Sequence, residues 1–181
     1  MFVKYVRERT DLFDGRPKRL LHVAPESHIA AILKGVPNID YLSADLDSPH
    51  AMVKMDITQI EFPDNSFDII YCSHVLEHVT EDRQAMREFR RVLKSDGWAI
   101  LQVPITADIT DEDPSVTDPD ERLKRFGQHD HVRRYGPDYA DRLAESGFDV
   151  TVDDWGSQLS PATVKKYGIA PEELIYFCRK G

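Results

Sequence analysis

The stretch from Phe62 to Pro104, FPDNSFDIIYCSHVLEHVTEDRQAMREFRRVLKSDGWAILQVP, constrains the fold of this chain more than any other. Phe67 to Cys72 is an apolar run of strand length that ends in a polar, histidine-bearing turn, Ser73-His74. Apolar residues then recur at helical spacing from near Thr80 to Lys94, and Asp96-Gly97 closes that helix. A second apolar strand, Trp98 to Val103, ends at Pro104. Strand, helix and strand in this order form a β-α-β unit. Its polar loop lies at the carboxyl end of the first strand, where open α/β sheets bind their ligands.

The same alternation runs through the rest of the chain. Phe2, Tyr5, Val6 and Arg9 predict a short amphipathic helix, broken by Gly15-Arg16-Pro17. Arg19 to Ala24 reads as a buried strand, Ser27 to Leu33 as a helix closed by Gly35 and Pro37, and Asp40 to Ala44 as a second strand. A short third strand, Met52 to Met55, ends at Asp56. Thr106 to Glu121 is acidic and proline-bearing with few apolar residues, so a surface loop or lid is expected there. Gly136-Pro137 starts a helix that stops before Gly147, and Phe148 to Val152 is a sixth strand. Ser160-Pro161 and Gly168 bracket another short helix before a last strand, Leu174 to Cys178. Strands alternating with helices imply a mostly parallel sheet with helices on both faces.

The 181 residues suit one domain, expected to span 1–181, with a single real core. No apolar run approaches the roughly 20 residues that span a bilayer, and charges from Lys4 onward leave no signal-peptide core, so a cytoplasmic protein is expected. Cys72 and Cys178 sit in apolar runs and read as small buried hydrophobes. The net charge of −9 argues against nucleic acid as a partner, because phosphate recognition concentrates positive charge. The cluster Arg122, Lys124, Arg125, Arg133 and Arg134 is a local exception. It is either a solvated loop offsetting nearby acids or a pocket for an anionic substrate.

The FPDNSFD and LEHV…RVLKSDG blocks resemble class I S-adenosylmethionine (SAM)-dependent methyltransferases of the small-molecule type, and the resemblance extends from about Arg19 to the end. It implies a Rossmann-like methyltransferase fold with a mostly parallel seven-stranded sheet, the last strand antiparallel and inserted beside the fifth. It implies SAM as cofactor and a small molecule or biosynthetic intermediate as acceptor. The first block departs from the family's pattern. Where the family has an acid and a glycine-rich turn, this chain reads Leu21-His22-Val23-Ala24-Pro25-Glu26-Ser27-His28, with no glycine. Glycines at such turns let backbone amides approach a ligand. Here Pro25 stiffens the turn, Ala24 and Pro25 line it, and Glu26 accepts from the ammonium of the cofactor's methionine moiety.

Matching the family position by position, Asp45 takes the ribose hydroxyls, with Leu46 beside it and Asp47 as the fallback acid. Asp56 meets the adenine amino group, Ile57 packs on the ring or offers its amide, and Ser73 and His74 hold the methionine part. Methyl transfer needs orientation and a dry site, and a base only where the acceptor must lose a proton. Five of the seven histidines lie in candidate loops: His28, His74, His78, His129 and His131. If the segment 126–135 is extended, His129, His131, Arg133 and Tyr135 share one face. His129 or His131 is therefore expected as base, with His78, Arg133 and Tyr135 on the acceptor. A divalent ion at His129, Asp130 and His131 with Glu77 or His78 is set aside, since this is not a structural-zinc spacing and no cysteine pair supports it. Two other functions are open: a methyltransferase fold that binds or regulates without turnover, and a nicotinamide-dependent oxidoreductase, against which the missing GxGxxG turn argues.

Overall fold

The computed structural model describes residues 1–181. Its strands are β1 (Lys18–Val23), β2 (Ile39–Asp45), β3 (Val53–Lys54), β4 (Phe67–Ser73), β5 (Leu93–Gln102), β6 (Asp111–Glu112), β7 (Arg133–Arg134), β8 (Phe148–Asp153) and β9 (Ile175–Lys180). Its α-helices are α1 (Phe2–Arg9), α2 (Ser27–Lys34), α3 (Asp82–Val92), α4 (Pro119–Phe126), α5 (Tyr139–Glu145) and α6 (Pro161–Tyr167). Seven strands form one sheet in the order β3-β2-β1-β4-β5-β9-β8. The first five are parallel, and β9 runs antiparallel to both β5 and β8. The expected insertion of the last strand beside the fifth is thus present.

The near-continuous apolar runs follow from burial on both faces. In β1, Leu20 packs with α1 and α2 while Leu21 packs with α3 and α5, because successive side chains point to opposite faces. Ile69 and Ile70 divide in the same way in β4. Phe2, Tyr5 and Val6 seal one face, with Phe2 stacked 3.8 Å from Tyr71, centroid to centroid. Met86, Phe89, Tyr139 and Leu143 seal the other. Helix α3 stops at Val92, and β5 begins at Leu93 with a register irregularity opposite Phe67–Ile69. Gly97 is required at that junction, since a Cβ there would lie 2.6 Å from the Asp68 carbonyl oxygen. Cys72 and Cys178 are free and buried, and burial pushes both thiols up. No helix is long and apolar enough to cross a membrane.

The acidic segment differs from the expected lid. Asp111 and Glu112 pair with Arg134 and Arg133 as a two-stranded ribbon. Asp118 caps α4 by accepting from the amides of Asp120 and Glu121, with Pro119 in the first turn and Gly127 in the left-handed conformation after its end. Arg125 pairs with Asp111 and Asp113, so part of the basic cluster does offset nearby acids. The helix went unread because its exposed polar residues leave only Phe126 to bury. Its caps are its local signal.

Candidate functional site

The carboxyl ends of β1, β2, β4 and β5 open onto one edge of the sheet, and the candidate residues gather there. The turn after β1 forms without glycine at a conformational cost. Ala24 sits at φ 47°, a left-handed conformation that costs a non-glycine residue about 1–2 kcal/mol. His74, after β4, has φ 55°. Two such residues at neighbouring strand ends mark a place where the fold holds backbone against its preference, a pattern concentrated at functional sites.

His22, in β1 just before the glycine-free turn, is fully buried. Its Nδ1 lies 2.9 Å from the Tyr41 hydroxyl and its Nε2 2.7 Å from Glu26 Oε2. Tyr71 donates to Glu26 Oε1 at 3.4 Å. Glu26 therefore supplies a carboxylate at this turn, held by His22 and Tyr71. Burial raises its pKa, but hydrogen bonds from His22, its own backbone and Tyr71 outweigh burial and hold the carboxyl below its usual range. Glu26 faces a cavity of about 200 Å³ shared with Tyr71, Ser73, His74, Gln102 and the amino-terminal residues Phe2 and Tyr5. Sequence reasoning missed His22, Tyr71 and Gln102. A histidine inside an otherwise apolar strand was the available signal for His22, whereas Tyr71 and Gln102 looked like ordinary strand residues.

Asp45 and Asp56 end the next two strands. Asp45 Oδ1 accepts from the amides of Asp47 and Ser48 at 2.9 and 2.8 Å, which fixes the carboxylate and leaves Oδ2 outside those two bonds. Asp56 Oδ1 accepts from the Thr58 amide and hydroxyl, which lowers its pKa. Beside Asp56 lies a cavity of about 470 Å³ lined by Leu46, Val53, Met55, Asp56 and Phe62; Asp45 is not among its lining residues. Leu46 is 54% exposed there, an apolar side chain with nothing over it. Ile57 is buried in the core rather than on this surface, so only its backbone is available to a ligand. Asp47 is exposed and pairs with Lys54 at 3.4 Å.

A third cavity, of about 550 Å³, lies beyond β4 and is lined by His74, Glu77, His78, Thr106, His131 and Arg134 among others. Glu77 and His78 belong to a single 3₁₀ turn, Leu76–His78. The Val132 amide donates to the Glu77 carbonyl at 2.9 Å, bringing the following segment alongside. Glu77 raises the pKa of His74 through a side-chain contact at 3.5 Å.

Extended alternation does put His131, Arg133 and Tyr135 on one face, but that face points into the protein. Arg133, 3% exposed, donates to the carbonyls of Leu76, Val79 and Thr80 and to Glu112. Tyr135 is fully buried and donates to Asp82 at 2.7 Å. Arg142 also donates to Asp82 and Glu112. Burial raises the pKa of Glu112, yet the hydrogen bonds from Arg142 and Arg133 bring it below the ordinary value. Arg133 and Tyr135, expected on the acceptor, have their polar groups engaged inside the protein, and neither lines the cavity beyond β4. His129 is exposed, with Nδ1 3.2 Å from the Pro119 carbonyl, outside the residues lining the cavity. Of the two expected bases, only His131 faces the cavity.

Residues 27–101 match the protein family described as a methyltransferase domain. Over 100 residues the chain is 34% identical to the uncharacterized methyltransferase YcgJ of Bacillus subtilis (strain 168), covering 55% of this chain and 34% of that protein. The chain therefore spans about a third of the length of that curated relative. Among solved structures, the cyclase SpnF superposes with a TM-score of 0.65 at 17% identity, covering 99% of this chain and 80% of that one. The 1,6-didemethyltoxoflavin-N1-methyltransferase of Burkholderia thailandensis, solved with 1,6-didemethyltoxoflavin and S-adenosylhomocysteine, superposes with a TM-score of 0.62 at 15% identity, covering 94% and 74%. The architecture is the Rossmann-like methyltransferase fold, a mostly parallel seven-stranded α/β sheet.

Proposed function

With the methyltransferase fold as premise, we propose that this protein binds SAM and transfers its methyl group to a small-molecule acceptor. One observation carries the cofactor reading. Carboxylates follow three neighbouring strands, Glu26 after β1, Asp45 at the end of β2 and Asp56 after β3, with the uncovered Leu46 sharing a cavity with Asp56. This sequence of an acid, an acid and an acid beside an apolar wall fits an ammonium, a ribose diol and an adenine amino group in turn. Glu26 is ionised and partly open to its cavity, so it can accept from the ammonium. Asp45 keeps Oδ2 for ribose hydroxyls, and Leu46, Met55 and Phe62 offer the apolar surface for a ring. SAM supplies, when bound, a methyl group already activated on a sulfonium.

What the chain contributes is position. His74 lines both the Glu26 cavity and the larger cavity beyond β4, so the donor and acceptor sides meet just after β4. The larger cavity falls within the roughly 300–1,000 Å³ of small-molecule sites. His74, His78 and His131 line it, and Arg134 and Lys124 add positive charge for a polar acceptor. The overall charge of −9 fits a small molecule better than nucleic acid.

Calorimetry with SAM and with its demethylated product, using NADH as control, tests this reading. Micromolar binding of either SAM-type ligand is expected, and selective retention of NADH would overturn it. A second reading, binding without turnover, draws support from the glycine-free turn and from a cyclase sharing the fold. It predicts SAM-type binding with no methylated product in an acceptor screen.

A further inference from the structure

The side chains of Glu77, His78 and His131 each offer one ligating atom within 4.8 Å of the other two. Two of these residues are buried with polar atoms unaccounted for. Glu77 is 2% exposed and its Oε2 has no hydrogen-bond partner; His131 is 7% exposed and its Nε2 has none. Leaving either group so costs free energy, most of all for a carboxylate, unless something at that point compensates. From these atoms we infer that Glu77, His78 and His131 form a binding site for a divalent first-row transition metal ion, zinc foremost.

The surroundings prepare each of the three for that role. His131 Nδ1 lies 3.3 Å from the Phe126 carbonyl oxygen, which can only accept; Nδ1 therefore carries the proton and Nε2 keeps its lone pair. His78 Nδ1 lies 3.2 Å from Asp130 Oδ2, whose negative charge favours the proton on Nδ1 and leaves Nε2 as the ligating nitrogen. His74 Nδ1 faces Glu77 Oε1 at 3.5 Å, leaving Oε2 as the free oxygen. Metal-bound histidines characteristically donate their second nitrogen to a carbonyl or carboxylate in this way. The two rings meet edge to face with centroids 4.6 Å apart.

Two histidines and one carboxylate are the ligand set of open zinc sites, in which three protein ligands leave a further position for water or substrate. Here that position opens into the cavity of about 550 Å³ beyond β4. Linear spacing argues against a metal here, but Glu77 and His78 come from one turn while His131 arrives with a distant segment held by the Val132–Glu77 backbone bond, and His129 and Asp130 are not part of the ligand set. Resting on the methyl-transfer reading, the ion would bind an acceptor hydroxyl and acidify it, its proton passing to solvent in the cavity; the oxygen would then take the methyl as the sulfonium C–S bond breaks and S-adenosylhomocysteine leaves. His131 is then a ligand rather than a base.

The test is titration of chelator-treated, folded protein with Co²⁺, read by its visible ligand-field bands, and with Zn²⁺ in competition. One ion per chain is expected. His131→Ala, His78→Ala and Glu77→Gln should each weaken binding about tenfold or more, and Asp130→Asn, which acts through His78, by about 10–100-fold. Should the Glu77 variant fail to fold, His78→Ala keeps the test, since that side chain is about one-third exposed. No stoichiometric Co²⁺ spectrum, or one unchanged in both histidine variants, overturns the site. SAM calorimetry is read separately: a metal site without SAM binding would defeat the methyl-transfer reading alone, and SAM binding without metal would defeat this inference alone.

Discussion

Asp82→Ala should be among the most damaging single substitutions outside the apolar core. The Asp82 carboxylate is 5% exposed and lies against the guanidiniums of Arg142, 6% exposed, and Arg133, 3% exposed. It also accepts from Tyr135. Removing it leaves two buried cations sharing Glu112 alone, which is about one-third exposed. Breaking a buried pair from one side costs about 3–5 kcal/mol, because the remaining charge stays desolvated. For a chain of this length about 1 kcal/mol shifts Tm by about 2–4 °C, so a fall of roughly 6–20 °C is expected. Asp82→Asn preserves shape and an acceptor for Tyr135 but not the charge, and it should fall in the same direction by less. Urea unfolding at pH 7 with unchanged m-value measures the loss. A loss under about 1 kcal/mol would refute the reasoning, since that is what an exposed ion pair contributes. It would mean that water reaches the network and that Arg133 is available to ligands after all.

Four further outcomes bear on the site. Asp45→Ala should weaken SAM binding by about tenfold to a hundredfold, the equivalent of one hydrogen bond to a charged acceptor at about 1.5–3 kcal/mol; unchanged calorimetric affinity would remove Asp45 from the site. Glu26→Gln should be less stable than the parent at pH 7, with the gap closing as pH falls. The folded pKa of Glu26 is depressed, so its contribution is present above the unfolded value and lost as pH drops through the folded one. A gap that persisted in acid would contradict this. Ala24→Gly should leave the fold intact and raise stability by up to about 1 kcal/mol, because relief of about 1–2 kcal/mol of left-handed strain exceeds the added unfolded-chain entropy of about 0.4–1 kcal/mol; a lower Tm would show that the turn needs the methyl group. His129→Ala should leave SAM affinity and turnover unchanged, and loss of turnover would restore it as a base candidate.

The amino-acid sequence by itself determined the order of strands and helices along the chain, because burial on both faces writes an apolar run at each strand and caps write the helix ends. Phe67–Ser73, Lys18–Val23 and α3 were readable for that reason. So were Asp45 and Asp56 as strand-end acids, since the end of a strand is a local property. Helix α4 was not readable, because it buries little and carries no apolar stripe. Only tertiary structure decided which way the face bearing His131, Arg133 and Tyr135 points. Alternation predicts that these side chains share a face, but not whether that face meets a ligand or the core. The core claimed Arg133 and Tyr135 through Asp82, Glu112 and the carbonyls after β4. Tertiary structure likewise brought His131 to Glu77 and His78, a meeting made by a backbone hydrogen bond between segments far apart in the chain. Local pattern carries secondary structure because its forces act over a few residues. The site's chemistry depends on which distant polar groups are left without partners once the core has closed.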